Sequence, residues 1–117
     1  MPAHFIALDS IEKLDQLFTS SHRQPVVIFK HSTSCGISVG VYREIETVNA
    51  DVNVVVVQRS RNISNEISRR TGIRHESPQA IVISNGTPVY HASHWDIEPI
   101  KIAAHFTSHE PSAVAAT

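Results

Sequence analysis

Two stretches of this chain are apolar at every position and rich in β-branched residues. One is Val26-Val27-Ile28-Phe29, opened by Pro25 and closed by Lys30; the other is Val54-Val55-Val56-Val57. A strand with one wet face alternates apolar and polar residues, whereas a strand with no alternation is covered on both faces. The chain must therefore fold around a sheet packed from either side. Between the two runs lies a stretch of helical character, from about Cys35 to Asn49, with Val41, Tyr42, Ile45 and Val48 as its inward stripe. Strand, helix and strand in that order call for a right-handed crossover and parallel strands.

The flanking segments extend this pattern. Asp9-Ser10-Ile11-Glu12 reads as a helix start in which Glu12 completes a capping box, with Ile11, Leu14, Leu17 and Phe18 at helical spacing. Ser20-Ser21-His22-Arg23-Gln24 ends that helix. After the valines, Asn62 is placed to cap a helix that turns Ile63 and Ile67 inward and stops at Thr71, with Gly72 as the left-handed residue. His75-Glu76-Ser77-Pro78 is a loop, residues 79–84 a third strand, Asn85-Gly86 a hairpin turn, and residues 88–92 the antiparallel return. Asp96 is placed to cap a last helix reaching about Phe106, with Pro99 tolerated in its first turn. The order α-β-α-β-α-β-β-α is the thioredoxin-like arrangement, an α/β fold with a four-stranded mixed sheet and helices on both faces. One domain over residues 1–107 is expected, with residues 108–117 as a flexible tail.

Composition narrows the function classes. A formal net charge of −1 gives no electrostatic reason for a nucleic-acid partner. No apolar run approaches the roughly 18 residues of a membrane span, and no basic segment followed by an apolar one suggests a leader. A single cysteine excludes an intrachain disulfide and fits a reducing, cytoplasmic setting. His91 with His94, and His105 with His109, have spacings a metal can use, but no carboxylate or cysteine completes either set. Solvated surface histidines and no bound metal are the expectation.

The chemistry gathers at Cys35, the one cysteine, where the first central strand gives way to a helix. A lone cysteine is by default a small buried hydrophobe. A thiol in the first turn of a helix instead meets the positive end of the dipole and unpaired N–H groups, both of which favour the thiolate. Ser38, three residues on, offers a hydroxyl to the same sulfur but no disulfide partner. Gly36 lacks a β-carbon, which opens the sulfur to a bulky partner or simply suits a helix start. Lys30, directly after the apolar run, is a candidate for stabilising the thiolate, while His31 reads as a solvated strand end and Trp95 as a packing residue at a helix entry. Ser77-Pro78 precedes the third strand; in this fold a proline there is cis and its loop faces the thiol. Such a bend places the Ser77 backbone to pair with an extended peptide or the backbone of a thiol.

The stretch Phe29-Lys30-His31-Ser32-Thr33-Ser34-Cys35-Gly36-Ile37-Ser38 resembles the active-site segment of the monothiol bacilliredoxins of the bacillithiol system. The likeness takes in the leading helix, the Ser77-Pro78-Gln79 loop and Ser93-His94-Trp95-Asp96-Ile97. That family commonly has proline directly after the cysteine, where this chain has Gly36. Cys35-Gly36-Ile37-Ser38 is also similar to the Cys-Gly-Phe-Ser site of monothiol glutaredoxins, which hold an iron–sulfur cluster with glutathione. The first resemblance implies a redox-active thiol–disulfide oxidoreductase that removes bacillithiol, or a similar low-molecular-weight thiol, from mixed disulfides on S-thiolated client proteins. It implies Cys35 as the catalytic thiol, Ser34, Gly36, Ser77 and Pro78 around the bound adduct with Ser38 as a further substrate-binding residue, and a second thiol that regenerates Cys35. The thiol is then a co-substrate, with no bound cofactor. The second resemblance implies an iron–sulfur carrier, and the fold alone allows a non-enzymatic module that docks partners through the proline face.

Overall fold

The computed structural model describes residues 2–107. Along the chain run β1 (His4–Ala7), α1 (Ile11–Ser20), β2 (Val26–His31), α2 (Gly36–Ile45), β3 (Asp51–Val56), α3 (Arg61–Thr71), β4 (Gln79–Ser84), β5 (Thr87–Ser93), a 3-10 turn (His94–Asp96) and α4 (Pro99–Thr107). The sheet order is β1-β3-β2-β4-β5. β1 and β2 lie parallel to β3, and β4 pairs antiparallel with both β2 and β5. The four expected strands are thus present, and β1 extends them at the β3 edge. The proposed flexible tail, residues 108–117, lies outside the described residues.

The unbroken apolar runs do cover two faces. Val27 and Phe29 of β2 join Val52, Ala80 and Val82 against Val41, Ile45, Val48 and Ile102 of the α2–α4 side. Val26 and Ile28 join Val55, Ile81 and Ile83 against Leu14, Ile63 and Ile67 of the α1–α3 side. β2, paired on both edges, is buried from Val26 to Lys30, whereas Val54 and Val56 of β3 are half-buried.

Several local details depart from the sequence reading. The N-cap of α1 is Ser10, whose Oγ accepts from Lys13 N at 3.1 Å. The box position three residues on is therefore Lys13, not Glu12, and Lys13 Nζ pairs with Asp9 at 2.8 Å. The N-cap of α3 is Ser60, with Asn62 already inside the helix. The last helix opens at Pro99, where the Glu98 carbonyl accepts from Lys101 and Ile102; Asp96 sits in the preceding 3-10 turn instead. The turn residues match their chemistry. Gly72 has φ +72°, and Asn85 and Gly86 have φ of 53° and 75°, the paired positive values of a tight hairpin. The Ser77-Pro78 bond is cis.

Candidate active site

The register fixes what meets at one end of the sheet. Lys30 near the end of β2 pairs with Gln79 at the start of β4. Cys35, four residues beyond His31, and Pro78, one residue before Gln79, therefore emerge at the same end of two neighbouring strands. Cys35 is the N-cap of α2, with extended backbone (φ −104°, ψ 120°), and its carbonyl accepts from Val39 N at 3.1 Å. Its side chain makes no capping hydrogen bond and is partly exposed. The sulfur thus stands at the helix end where the first-turn N–H groups lack helical partners.

The turn that carries the cysteine is held from two sides. Ser38 is fully buried. Its Oγ accepts from Ser32 N at 3.0 Å and lies 2.8 Å from His31 Nδ1. Ser38 therefore fastens the turn from inside rather than meeting a ligand from the solvent side, because its hydroxyl is already committed. His31 is likewise no solvated strand end. Its ring is half-buried between Phe29 and Tyr42, at centroid distances of 5.7 and 5.0 Å, and burial lowers its pKa below the usual 6.5. On the β3 side, Gln58 Oε1 accepts from Thr33 N at 3.3 Å. Its Nε2 donates to Ser32 Oγ at 2.7 Å and to Ser34 Oγ at 3.0 Å. The sequence reading missed Gln58. The available signal was its place just past the valine run, level with the Ser32-Thr33-Ser34 turn on the neighbouring parallel strand.

The solvent side is open. Ser34 and Gly36 are exposed, and a Cβ added at Gly36 would meet nothing within 4 Å among the described residues. A side chain at residue 36 is thus sterically admissible. Across the site Ser77 is half-buried and Pro78 buried, with the Pro78 carbonyl accepting from His94 N at 2.9 Å. The 3-10 turn that begins at His94 presents Trp95, which is 58% exposed on one side and seated on α2 on the other. A Cβ at Gly40 would lie 2.7 Å from the edge of its ring, so glycine is what lets the indole reach the helix backbone.

Lys30 points elsewhere. It lies on the α3 face of the sheet, fully buried. Its Nζ donates to the Ser64 carbonyl at 3.0 Å and Ser68 Oγ at 3.1 Å, and lies 3.2 Å from His75 Nδ1. Burial lowers its pKa from 10.5 to about 8. Among the described residues no group of three or more His, Cys, Asp or Glu side chains is placed to hold a metal ion, and His109 lies outside them. No helix among the described residues is long and apolar enough to cross a membrane.

Comparison with known proteins bears on this geometry. The family model of monothiol bacilliredoxin BrxC matches residues 6–102. A solved structure described as a candidate oxidoreductase with a thioredoxin fold is 31% identical, with 86% of this chain and 92% of that one covered and a TM-score of 0.78. Thioredoxins of Malassezia sympodialis and Nicotiana alata are 22% and 17% identical, with TM-scores of 0.64 and 0.69. Each covers 93% of this chain, matching 92% and 95% of its own, and these two carry the fold alone. Because the family match runs from β1 into α4 and takes in every element that frames the cysteine, the chain belongs to the monothiol bacilliredoxins and is a monothiol thiol–disulfide oxidoreductase with a thiol co-substrate.

Proposed function

We propose that this protein removes bacillithiol from mixed disulfides on S-thiolated client proteins in the cytoplasm, with Cys35 as the attacking thiol. The observation that carries this reading is the position of the sole cysteine, at the N-cap of α2 with a buried serine three residues on. The chain has no second thiol to compete with it. In the first step the Cys35 thiolate attacks the bacillithiol sulfur of the mixed disulfide. That S–S bond breaks, the client sulfur leaves with the electron pair and takes a proton, and a Cys35–bacillithiol disulfide forms. In the second step a low-molecular-weight thiolate attacks the bacillithiol sulfur of that adduct, yielding a small-molecule disulfide and free Cys35 thiolate. Ser34 and Gly36 flank the adduct on the α2 side, and Ser77 and Pro78 face it from the loop that leads into β4.

The test is intact-mass analysis with a cysteine-containing client protein prepared as its bacillithiol and, separately, its glutathione mixed disulfide. The wild type should free the client thiol of the bacillithiol form and gain one bacillithiol mass on Cys35, and Cys35→Ser should do neither. Preference for the glutathione form would refute the thiol assignment. Client release by Cys35→Ser would refute the mechanism.

A further inference from the structure

Lys30 is the one fully buried ionic side chain among the described residues, and thiol exchange as written above gives it nothing to do. It is not idle in the fold. An ammonium has three protons to donate, and Lys30 Nζ has three acceptors: the Ser64 carbonyl, Ser68 Oγ and His75 Nδ1. The first two lie one turn apart on α3. The third belongs to the loop that ends in Ser77-Pro78. His75 is largely exposed, yet its Nδ1 is turned inward, with Ser64 Oγ 3.0 Å away as well.

Besides Ile73 N, which donates to Thr71 Oγ1 at the end of α3 at 3.2 Å, the same loop is fastened at two other points. Gln79, the cross-strand partner of Lys30, sends its Nε2 to the Arg74 carbonyl at 2.9 Å. Its buried Oε1 has no partner among the described residues. The Pro78 carbonyl takes His94 N at 2.9 Å. Those two fastenings tie the loop to β4 and to the 3-10 turn. Only Lys30 ties it at once to α3 and to β2, the strand that leads into the cysteine turn.

We infer that Lys30 is a positioning residue for thiol exchange: by holding His75 to α3 it sets the Ser77-Pro78 bend at the spacing from Cys35 that a bound mixed disulfide requires. This rests on the reading that the mixed disulfide lies between Cys35 and that bend. Small errors in such spacing are costly, since a misplacement of about 1 Å can cost on the order of a hundredfold in rate.

Three measurements on Lys30→Met, His75→Ala and His75→Asn test it. Alkylation of Cys35 by iodoacetamide reads the thiol alone. Release of client thiol from a bacillithiol mixed disulfide reads the assembled site. Amide hydrogen exchange over residues 73–77 reads the loop. In Lys30→Met and His75→Ala, the alkylation rate should stay within about twofold of wild type with its pH midpoint unmoved, and client release should fall about tenfold, chiefly through KM. Loop exchange should speed up about tenfold in the same two variants. His75→Asn, whose Oδ1 can accept from Lys30 in place of Nδ1, should restore most of both losses. His75→Ala leaves the core intact if Lys30→Met fails to fold. A shifted alkylation midpoint would overturn the inference by showing that Lys30 acts on the sulfur's charge. Unchanged loop exchange, or unchanged client release, would overturn it equally. A wild type that releases no bacillithiol would sink the function proposed above, whereas the exchange data would still report the clamp.

Discussion

Replacing Lys30 by methionine has a signature at alkaline pH that follows from burial alone. In the unfolded chain the lysine titrates near its ordinary 10.5; in the fold, loss of solvation brings it to about 8. Between those values the unfolded state holds a proton that the folded state has released. Stability rises with pH wherever the unfolded state binds more protons. The wild type should therefore gain stability from pH 8 upward, until the gain saturates near 10.5. At 1.36 kcal/mol for each tenfold change in proton affinity, the gain between pH 7 and pH 10 is on the order of 2–3 kcal/mol. Lys30→Met has no such proton, so subtracting its stability cancels the titration of groups that do not feel the Lys30 charge; His75, which does, is held below 6.5 and titrates under this pH window. At pH 7 the variant should be close to neutral. It relieves a buried charge but strips a donor from three acceptors, and such exchanges often cancel. The assay is urea unfolding of both proteins at pH 7 and pH 10, with m checked for constancy. A stability difference that does not move with pH would refute the reasoning, because it would mean that Lys30 keeps its proton in the fold as easily as in water.

The other predictions concern acid stability and the cysteine turn. His31 and His75 are both held below the usual 6.5, His31 by burial and His75 by burial and then the charges of Lys30 and Arg61. Their neutral forms belong to the fold, so this stability is complete above 6.5 and is lost as pH falls through the folded values; urea midpoints that hold level from pH 7.5 to pH 5 would contradict it. Ser38→Ala removes the acceptor for buried Ser32 N–H and the partner of His31, and should cost about 1–3 kcal/mol in urea unfolding together with a slower exchange rate. Gly40→Ala should push the Trp95 ring off α2. A helix-propensity gain of about 0.5–1 kcal/mol offsets the lost packing, so stability should change by less than about 1 kcal/mol. Emission of the single tryptophan should shift to the red, and an unchanged spectrum would mean the ring is not seated there.

The central strands, the three longer helices and the hairpin were legible because each has a local cause: unbroken β-branched runs, apolar spacing of three and four, and a turn dipeptide suited to positive φ. The edge strand β1 had none. His4-Phe5-Ile6-Ala7 is four residues long, half exposed and stabilised by pairing with β3, a partner almost fifty residues away. Helix caps were misplaced by one or two residues, since Asp, Ser and Asn near a helix start compete for one role and the fold decides among them. At the site, Cys35 and Ser77-Pro78 were legible through their places at element junctions. The partners of Lys30 and His31 were not. Adjacent strand residues point to opposite faces, so two neighbouring basic residues entered different environments, one beneath α3 and one against Phe29 and Tyr42. The alternation was readable, but which helix would cover each face was a matter of topology.

The serine at residue 38 links these observations. A cysteine three residues after a helix-capping cysteine would give the thiol an internal partner and a route to discharge any adduct by itself. Serine removes that route, and here its hydroxyl also accepts from Ser32 N and meets His31 Nδ1 in the interior. A thiol accepts and donates only weakly, so the residue that makes the site monothiol also stiffens the turn bearing the thiol. Gln58, two residues past β3, braces the same turn, while the Gly36 side stays open. In the proposed exchange the thiol meets two foreign sulfurs in succession, first in a protein mixed disulfide and then in a small thiol, and so needs a rigid base and free access rather than a neighbour. The buried hydrogen bonds supply the first, and the second is met at a partly exposed Cys35 flanked by exposed Ser34 and Gly36.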